Sequence, residues 1–145
     1  MVHLISGHLY SELASRLPFL HHQQILLRRE PRIGLGQLRE LRIGERIVAA
    51  SCIVTADTLI TDWQPPALAE LTLAQLEPLI ALAPRIALLG APAARLTVPR
   101  STRAALAEQG IALEVMELGA ACRTFNILVQ EERRVAAALF LEADR

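Results

Sequence analysis

The sequence predicts an α/β fold: a compact layered domain with a mixed central sheet, a parallel strand–helix–strand unit, and a smaller antiparallel N-terminal hairpin or meander. Three observations carry this. The apolar residues come as short runs of Leu, Ile, Val and Ala, as in strands covered on both faces. After residue 85, strand-like and helix-like stretches alternate, the pattern of a parallel sheet with crossover helices. Residues 114–141 form the densest run of small and apolar residues. They read as the end of a strand, a tight turn, one helix and a closing strand.

The length supports one domain. At 145 residues a chain buries roughly 70% of the surface its unfolded form exposes, enough for a core without metals or staples. The 52% hydrophobic content is high, yet no apolar run reaches the ~18 residues a membrane span needs. Fifteen basic residues, all Arg, cancel fifteen acidic ones. This neutrality argues against a nucleic-acid partner, which calls for a positive field. Cys52 and Cys122 lie far apart, with no CxxC and no His beside them, so neither a disulfide framework nor a metal site is expected. The compartment expected is the reducing cytoplasm. Residues 1–24 lack the basic start and unbroken apolar stretch of a secretory signal.

Residues 1–22 read as an appendage to a single α/β domain over 23–145. Leu9, Leu13 and Leu17 share a helical face that stops before Pro18, and all four histidines (His3, His8, His21, His22) sit here. A polar, partly mobile N-terminus explains them better than a metal cluster does.

From Gln24 the pattern becomes strand-like. Ile25-Leu26-Leu27 is a short apolar run, and residues 28–36, with Pro31, Gly34 and Gly36, read as a loop. Leu41 and Ile43 alternate with Glu40 and Arg42. Gly44-Glu45, with Gly first, suits a type II′ hairpin turn. Residues 46–55 are apolar on both faces and predict one central strand. A third strand follows over 58–63, ended by Pro65-Pro66.

Thr72 and Gln75 have capping-box spacing, with Leu71 and Leu76 placed for a hydrophobic staple. Pro78 lacks the donor an interior helical residue needs, so a kink or break is expected there. Residues 85–90 predict a buried strand. Ser101 is the expected cap of a helix that ends at Gly110 with a left-handed residue, letting Ile111 close over Leu106. A strand over 111–116, a helix over 120–131 and a strand over 134–141 complete the chain.

On helix 120–131 the apolar stripe is Ala121, Cys122, Phe125, Leu128 and Val129, while Arg123, Asn126 and Gln130 share another face. In a parallel sheet, ligands bind beyond the carboxyl ends of the strands. The helix start there offers free amides and a partial positive charge. This nominates Gly90, Ala91, Gly119, Ala120, Cys122, Arg123 and Asn126 as a ligand or anion site, with Arg123 assisting. Cys122 is the candidate nucleophile, since a thiol near a helix N-terminus can acidify. Its place on the apolar stripe fits a buried structural cysteine better. Glu114 and Glu117 diverge and make no acid–base pair. No Walker loop, GxGxxG or HExxH occurs, and no cofactor or catalytic residue is expected.

Val54-Thr55 with Asp62-Trp63, Leu88-Leu89-Gly90, Gly110-Ile111 with Glu114-Val115-Met116, the run Ala120-Ala121-Cys122-Arg123-Thr124-Phe125-Asn126 and the strand Val135-Ala136-Ala137-Ala138-Leu139 resemble one family. It is the small domain shared by mitochondrial NADH dehydrogenase (complex I) assembly factor 3 and the adipogenesis-associated single-domain protein, carried in bacteria and archaea as a domain of unknown function. The resemblance spans about residues 24–141. It implies a layered α/β fold, no agreed catalytic residues and, by analogy, a protein partner such as a membrane or respiratory complex. Self-association is an open alternative. Two departures from the family pattern stand at the cleft mouth. Ala91-Pro92 follow Gly90 where Thr-Gly is usual, and Glu117-Leu118 replace Asp-Thr, which removes hydroxyls and an expected helix cap. The sequence thus favours a non-catalytic binding or assembly factor over an anion-binding enzyme using the helix 120–131 cleft.

Overall fold

The computed structural model describes residues 25–32, 36–93 and 96–141. The expected Leu9–Leu17 helix and the four histidines lie outside them. Two sheets organise the described chain. A three-stranded antiparallel sheet runs β1 (Ile25–Arg32), β2 (Gly36–Ile43), β3 (Arg46–Val48). A five-stranded sheet has the order β5-β4-β8-β6-β7, with β4 (Cys52–Val54), β5 (Leu59–Ile60), β6 (Ile86–Ala91), β7 (Ala112–Glu117) and β8 (Val135–Leu139). Strand β6 is parallel to both β7 and β8, whereas β4 is antiparallel to β8 and β5. The central sheet is therefore mixed, with a parallel strand–helix–strand unit and a separate antiparallel meander, the fold class that the sequence predicts.

Strand β1 continues into the expected loop. It runs through Pro31 to Arg32 and pairs with β2 along its length, Pro31 opposite Gln37. Proline fits because β1 is an edge strand, where a missing N–H need not face a ladder. The next turn is as expected: Gly44 sits at φ 60°, and Ile43 pairs with Arg46 across the two-residue loop.

The single strand expected over 46–55 is two strands in two sheets. The chain leaves β3 at Val48, crosses through Ala49, Ala50 and Ser51, and enters the central sheet at Cys52. Three small residues at the crossing permit the bend. The Ser51 hydroxyl fixes it, accepting from the Leu141 N–H at 3.0 Å at the end of β8. On the β3 side Ile47 lies beside Arg42 on the outer face of the small sheet and is 58% exposed, because only the other face is covered.

Both faces of the central sheet are covered. On one face lie helix α3 (Leu118–Gln130) and the small sheet, which bury Ile25, Leu41, Ile43, Phe125 and Leu118 against Cys52, Val54, Leu88, Ala137 and Leu139. On the other face lie residues 61–84 and helix α2 (Arg100–Glu108), which bury Trp63, Leu71, Leu76, Leu79 and Leu106 against Ile53, Ala87, Leu89, Ala136 and Ala138. The alternation along β8, Ala136 and Ala138 against Ala137 and Leu139, divides the core in two.

Thr72 and Gln75 form the expected capping box, with the Thr72 N–H donating to Gln75 Oε1 at 2.7 Å. The turn they open is a 3₁₀ turn (Leu73–Leu76) that passes into the short helix α1 (Glu77–Ala81). Pro78 sits in the first turn of α1, where its missing N–H has no partner to lose. The helix is thus interrupted at the proline. Helix α2 starts one residue before its expected cap, with Pro99 at the boundary and Ser101 exposed in the first turn. It ends as expected. Gly110 is at φ +77°, the Ile111 N–H donates to the Leu106 carbonyl at 3.0 Å, and the Gly110 N–H donates to that of Ala107 at 3.0 Å. Helix α3 ends the same way on a non-glycine: Glu132 adopts φ 59°, and the Arg133 N–H donates to the Leu128 carbonyl at 2.9 Å.

Helix α3 crosses β6 closely at Gly90. A Cβ built on Gly90 would stand 2.6 Å from Ala121 Cβ and 3.1 Å from Leu139 Cδ2. The first of these is a backbone-anchored methyl that moves only if the helix moves. We expect Gly90→Ala to destabilise the fold by about 1–3 kcal/mol through overpacking, read as a lower urea midpoint with an unchanged slope.

Candidate functional site

The carboxyl ends of β6 and β7 are level, since Gly90 pairs with Met116 and Ala91 with Glu117 in parallel register. Helix α3 begins immediately after Glu117, two residues earlier than expected. Glu117 is its N-cap. One carboxylate oxygen, Oε2, accepts from the Gly119 N–H at 2.9 Å and from the Ala120 N–H at 3.3 Å. The cap expected to be missing is therefore present, supplied by a longer acid than the family's Asp. The helix dipole is met by the same negative charge. The anion position at the start of α3 is occupied by the protein's own side chain.

The seven nominated residues separate accordingly. Gly90, Gly119 and Cys122 are buried where α3 meets the sheet, whereas Ala91 is buried in the core on the opposite face, with Trp63 and Leu106. Ala120 is half-buried, and Arg123 points to solvent. Asn126 joins two elements: its Oδ1 accepts from the Ile25 N–H at 2.7 Å, and its Nδ2 donates to the Ile25 carbonyl at 2.8 Å. One amide side chain thus replaces a strand partner at the start of β1 and locks the small sheet onto α3.

The thiols are shifted away from reactivity. Burial pushes Cys52 up to about 12, and neighbouring Cys122 adds to the rise. Burial, then the Glu117 carboxylate, pushes Cys122 up to about 12 against a smaller opposing pull from Arg123. Desolvation of the thiolate outweighs any help from the helix N-terminus. Both cysteines are free. Among the described residues no three His, Cys, Asp or Glu side chains converge as a metal site would require. No described helix is long and apolar enough to cross a membrane.

A second feature, absent from the sequence reading, lies on the opposite face. An open trough of about 400 Å³ is lined by Trp63, Gln64, Gln75, Glu77, Pro78 and Ala81, among others. Its walls are fixed. Trp63 Nε1 donates to the Gln75 carbonyl at 2.9 Å, and the indole meets Phe140 edge-on, with centroids 5.1 Å apart and planes at 70°. The signal available in the sequence was a charge asymmetry. Residues 47–84 hold four acids (Asp57, Asp62, Glu70 and Glu77) and no Arg, Lys or His.

Residues 37–140 match the family model of a protein of unknown function, DUF498/DUF598. The chain belongs to the DUF498/DUF598 family. No curated protein matches it. Among solved structures it is similar to XCC1710 of Xanthomonas campestris, at 34% identity and a TM-score of 0.65, covering 81% of this chain and 85% of that one. A Bordetella parapertussis protein has 22% identity and a TM-score of 0.68, with 83% and 97% covered. A Bordetella pertussis protein, described as a Mth938-like domain, has 21% identity and a TM-score of 0.63, with 72% and 82% covered. At these lower identities the last two show the fold alone. The DUF498/DUF598 match begins within β2 and ends at the close of β8, so it takes in the whole central sheet and α3.

Three outcomes are expected of this DUF498/DUF598 domain. Asn126→Ala leaves two backbone groups of Ile25 unpaired, which costs about 1–3 kcal/mol, and amide exchange at Ile25 should accelerate before that of β8. Glu117→Ala loses a cap worth about 0.5–2 kcal/mol and opens the α3 amides. Phosphate should then raise the melting temperature of the variant more than that of the wild type. The thiols give a pH dependence whose sign follows from a folded pKa raised above the unfolded one. Their contribution is complete below pH 9.0, the ordinary thiol value, and is lost as pH rises toward about 12. Denaturant melts at pH 8 and pH 10.5 should show the fall, and Cys52→Ala/Cys122→Ala should flatten it.

Proposed function

We propose that this chain is a protein-binding domain that acts by docking to partner proteins rather than by catalysing a reaction. The observation that carries this reading is the Glu117 carboxylate on the Gly119 and Ala120 amides. At the place where an α/β fold ordinarily receives a ligand, a free anion has to displace a tethered one of the same charge. The buried thiols, held high by desolvation, support the same reading. The resemblance to a complex I assembly factor supplies the direction: an assembly-factor role, with a membrane or respiratory complex as the kind of target, and self-association as a competing use of the surface. The cytoplasm is the compartment proposed, in keeping with two free cysteines.

Affinity capture with brief cross-linking from native extract, soluble and detergent-solubilised fractions taken separately, tests this. A defined protein enriched over an unrelated bait of equal size is expected. Native mass spectrometry showing instead a small molecule retained through purification, with no protein enriched, would sink the reading.

A further inference from the structure

We infer that the trough beside Trp63 receives a basic, extended segment of a partner protein. The inference rests on the protein-binding reading and adds the surface and the chemistry of its occupant. Four observations converge. The trough's floor and walls are apolar (Trp63, Pro78 and Ala81), with Glu77, Gln64 and Gln75 as its polar groups. Its walls are ordered in advance. The Trp63 indole is held by the Gln75 carbonyl and by Phe140, and Gln75 is held by the Thr72 N–H, so binding has little side-chain ordering to offset.

The third observation is charge. Residues 47–84, which include the whole trough lining, carry four acids and no base in a chain with fifteen arginines. The charged side chain in the trough's lining is the Glu77 carboxylate, which favours a cationic occupant. The fourth is shape. About 400 Å³ is enough for a few side chains, but the trough is open to solvent. A small molecule there would remain largely wet, whereas ligand sites normally bury roughly 70–90% of their occupant. An extended chain can lie across an open trough, seat an apolar side chain against Trp63 and Pro78, and place an Arg or Lys over the Glu77 carboxylate.

The probe is a phage-displayed library of nine-residue peptides, selected on the intact protein. Enriched peptides are then synthesised and titrated by intrinsic fluorescence, which reports on the trough because Trp63 is the chain's single tryptophan. We expect enriched sequences to pair Arg or Lys with Leu, Pro or another apolar residue. The Trp63 signal should saturate, and affinity should fall as salt rises. Glu77→Arg and Ala81→Arg both lie at exposed positions. Each should weaken binding at least tenfold, with an unchanged far-UV circular dichroism spectrum. Enriched peptides lacking basic residues, or affinities unchanged in both variants, would overturn the inference. A wild-type dimer that Glu77→Arg splits in sedimentation would also overturn it, by assigning the trough to a second copy. The same variants used as capture baits separate the two readings. A partner recovered equally by wild type and Glu77→Arg keeps the docking role and removes the trough. An empty capture together with an empty selection removes both.

Discussion

The approach of helix α3 to strand β6 at Gly90 is the constraint from which the rest of the architecture follows. A hydrogen at that position, where every other residue has a carbon, lets Ala121 sit against the sheet backbone. The neighbouring strand β8 continues the same logic with Ala137, the small residue it turns toward α3, and the helix is set low there. Low seating brings Phe125, Leu118 and Val129 to full burial. It also brings Asn126 within reach of Ile25, and only then can the small sheet be fastened to the large one. Packing density at one crossing is thus converted into the relative placement of two sheets.

That placement uses up polar groups which in another α/β protein would face a substrate. Glu117 neutralises the start of α3, Asn126 serves β1, and the Thr102 hydroxyl donates at 2.6 Å to the Leu71 carbonyl, tying α2 to the segment that covers the second face. Each is a side chain satisfying backbone that no ladder or helix reaches. The two cysteines are spent in the same way, as small apolar units under α3.

Much of this was legible in residue types. The Gly110 cap, the Gly44 turn, the capping box at Thr72 and the closing strand at Val135 each depend on local chemistry, and local chemistry is what a sequence displays. What escaped depended on partners distant in the chain. The pattern of 46–55 is apolar on both faces without a break, yet the strand divides at Ala49 to Ser51 because its halves pair with different strands, β2 close by and β8 near the far end of the chain. Pro31 looked like a loop residue because nothing local reveals that β1 is an edge. Helix α3 ends on Glu132 at φ 59° with no glycine to mark it, held by the Schellman bonds to Leu128 and Val129. The capping role of Glu117 was hidden for a different reason: a family pattern with Asp-Thr made the longer acid read as a loss.

The charge distribution carries the same lesson to the surface. A net charge of zero describes the molecule at long range, where solution ions screen it beyond about 8–10 Å. At contact distance only the local balance acts. Residues 1–46 contain seven arginines and four acids, whereas 47–84 contain four acids alone. The neutral total that argued against nucleic acid therefore conceals an acidic stretch, and its second half, residues 61–84, joins α2 in covering the face of the sheet away from α3. There the fold has fixed an indole, a proline and a glutamate around an open trough without needing them to close any ladder. Rigid apolar surface with one sign of charge and no backbone left to satisfy is suited to recognition, and the α3 end of the molecule, with its own carboxylate in place, is suited to stability.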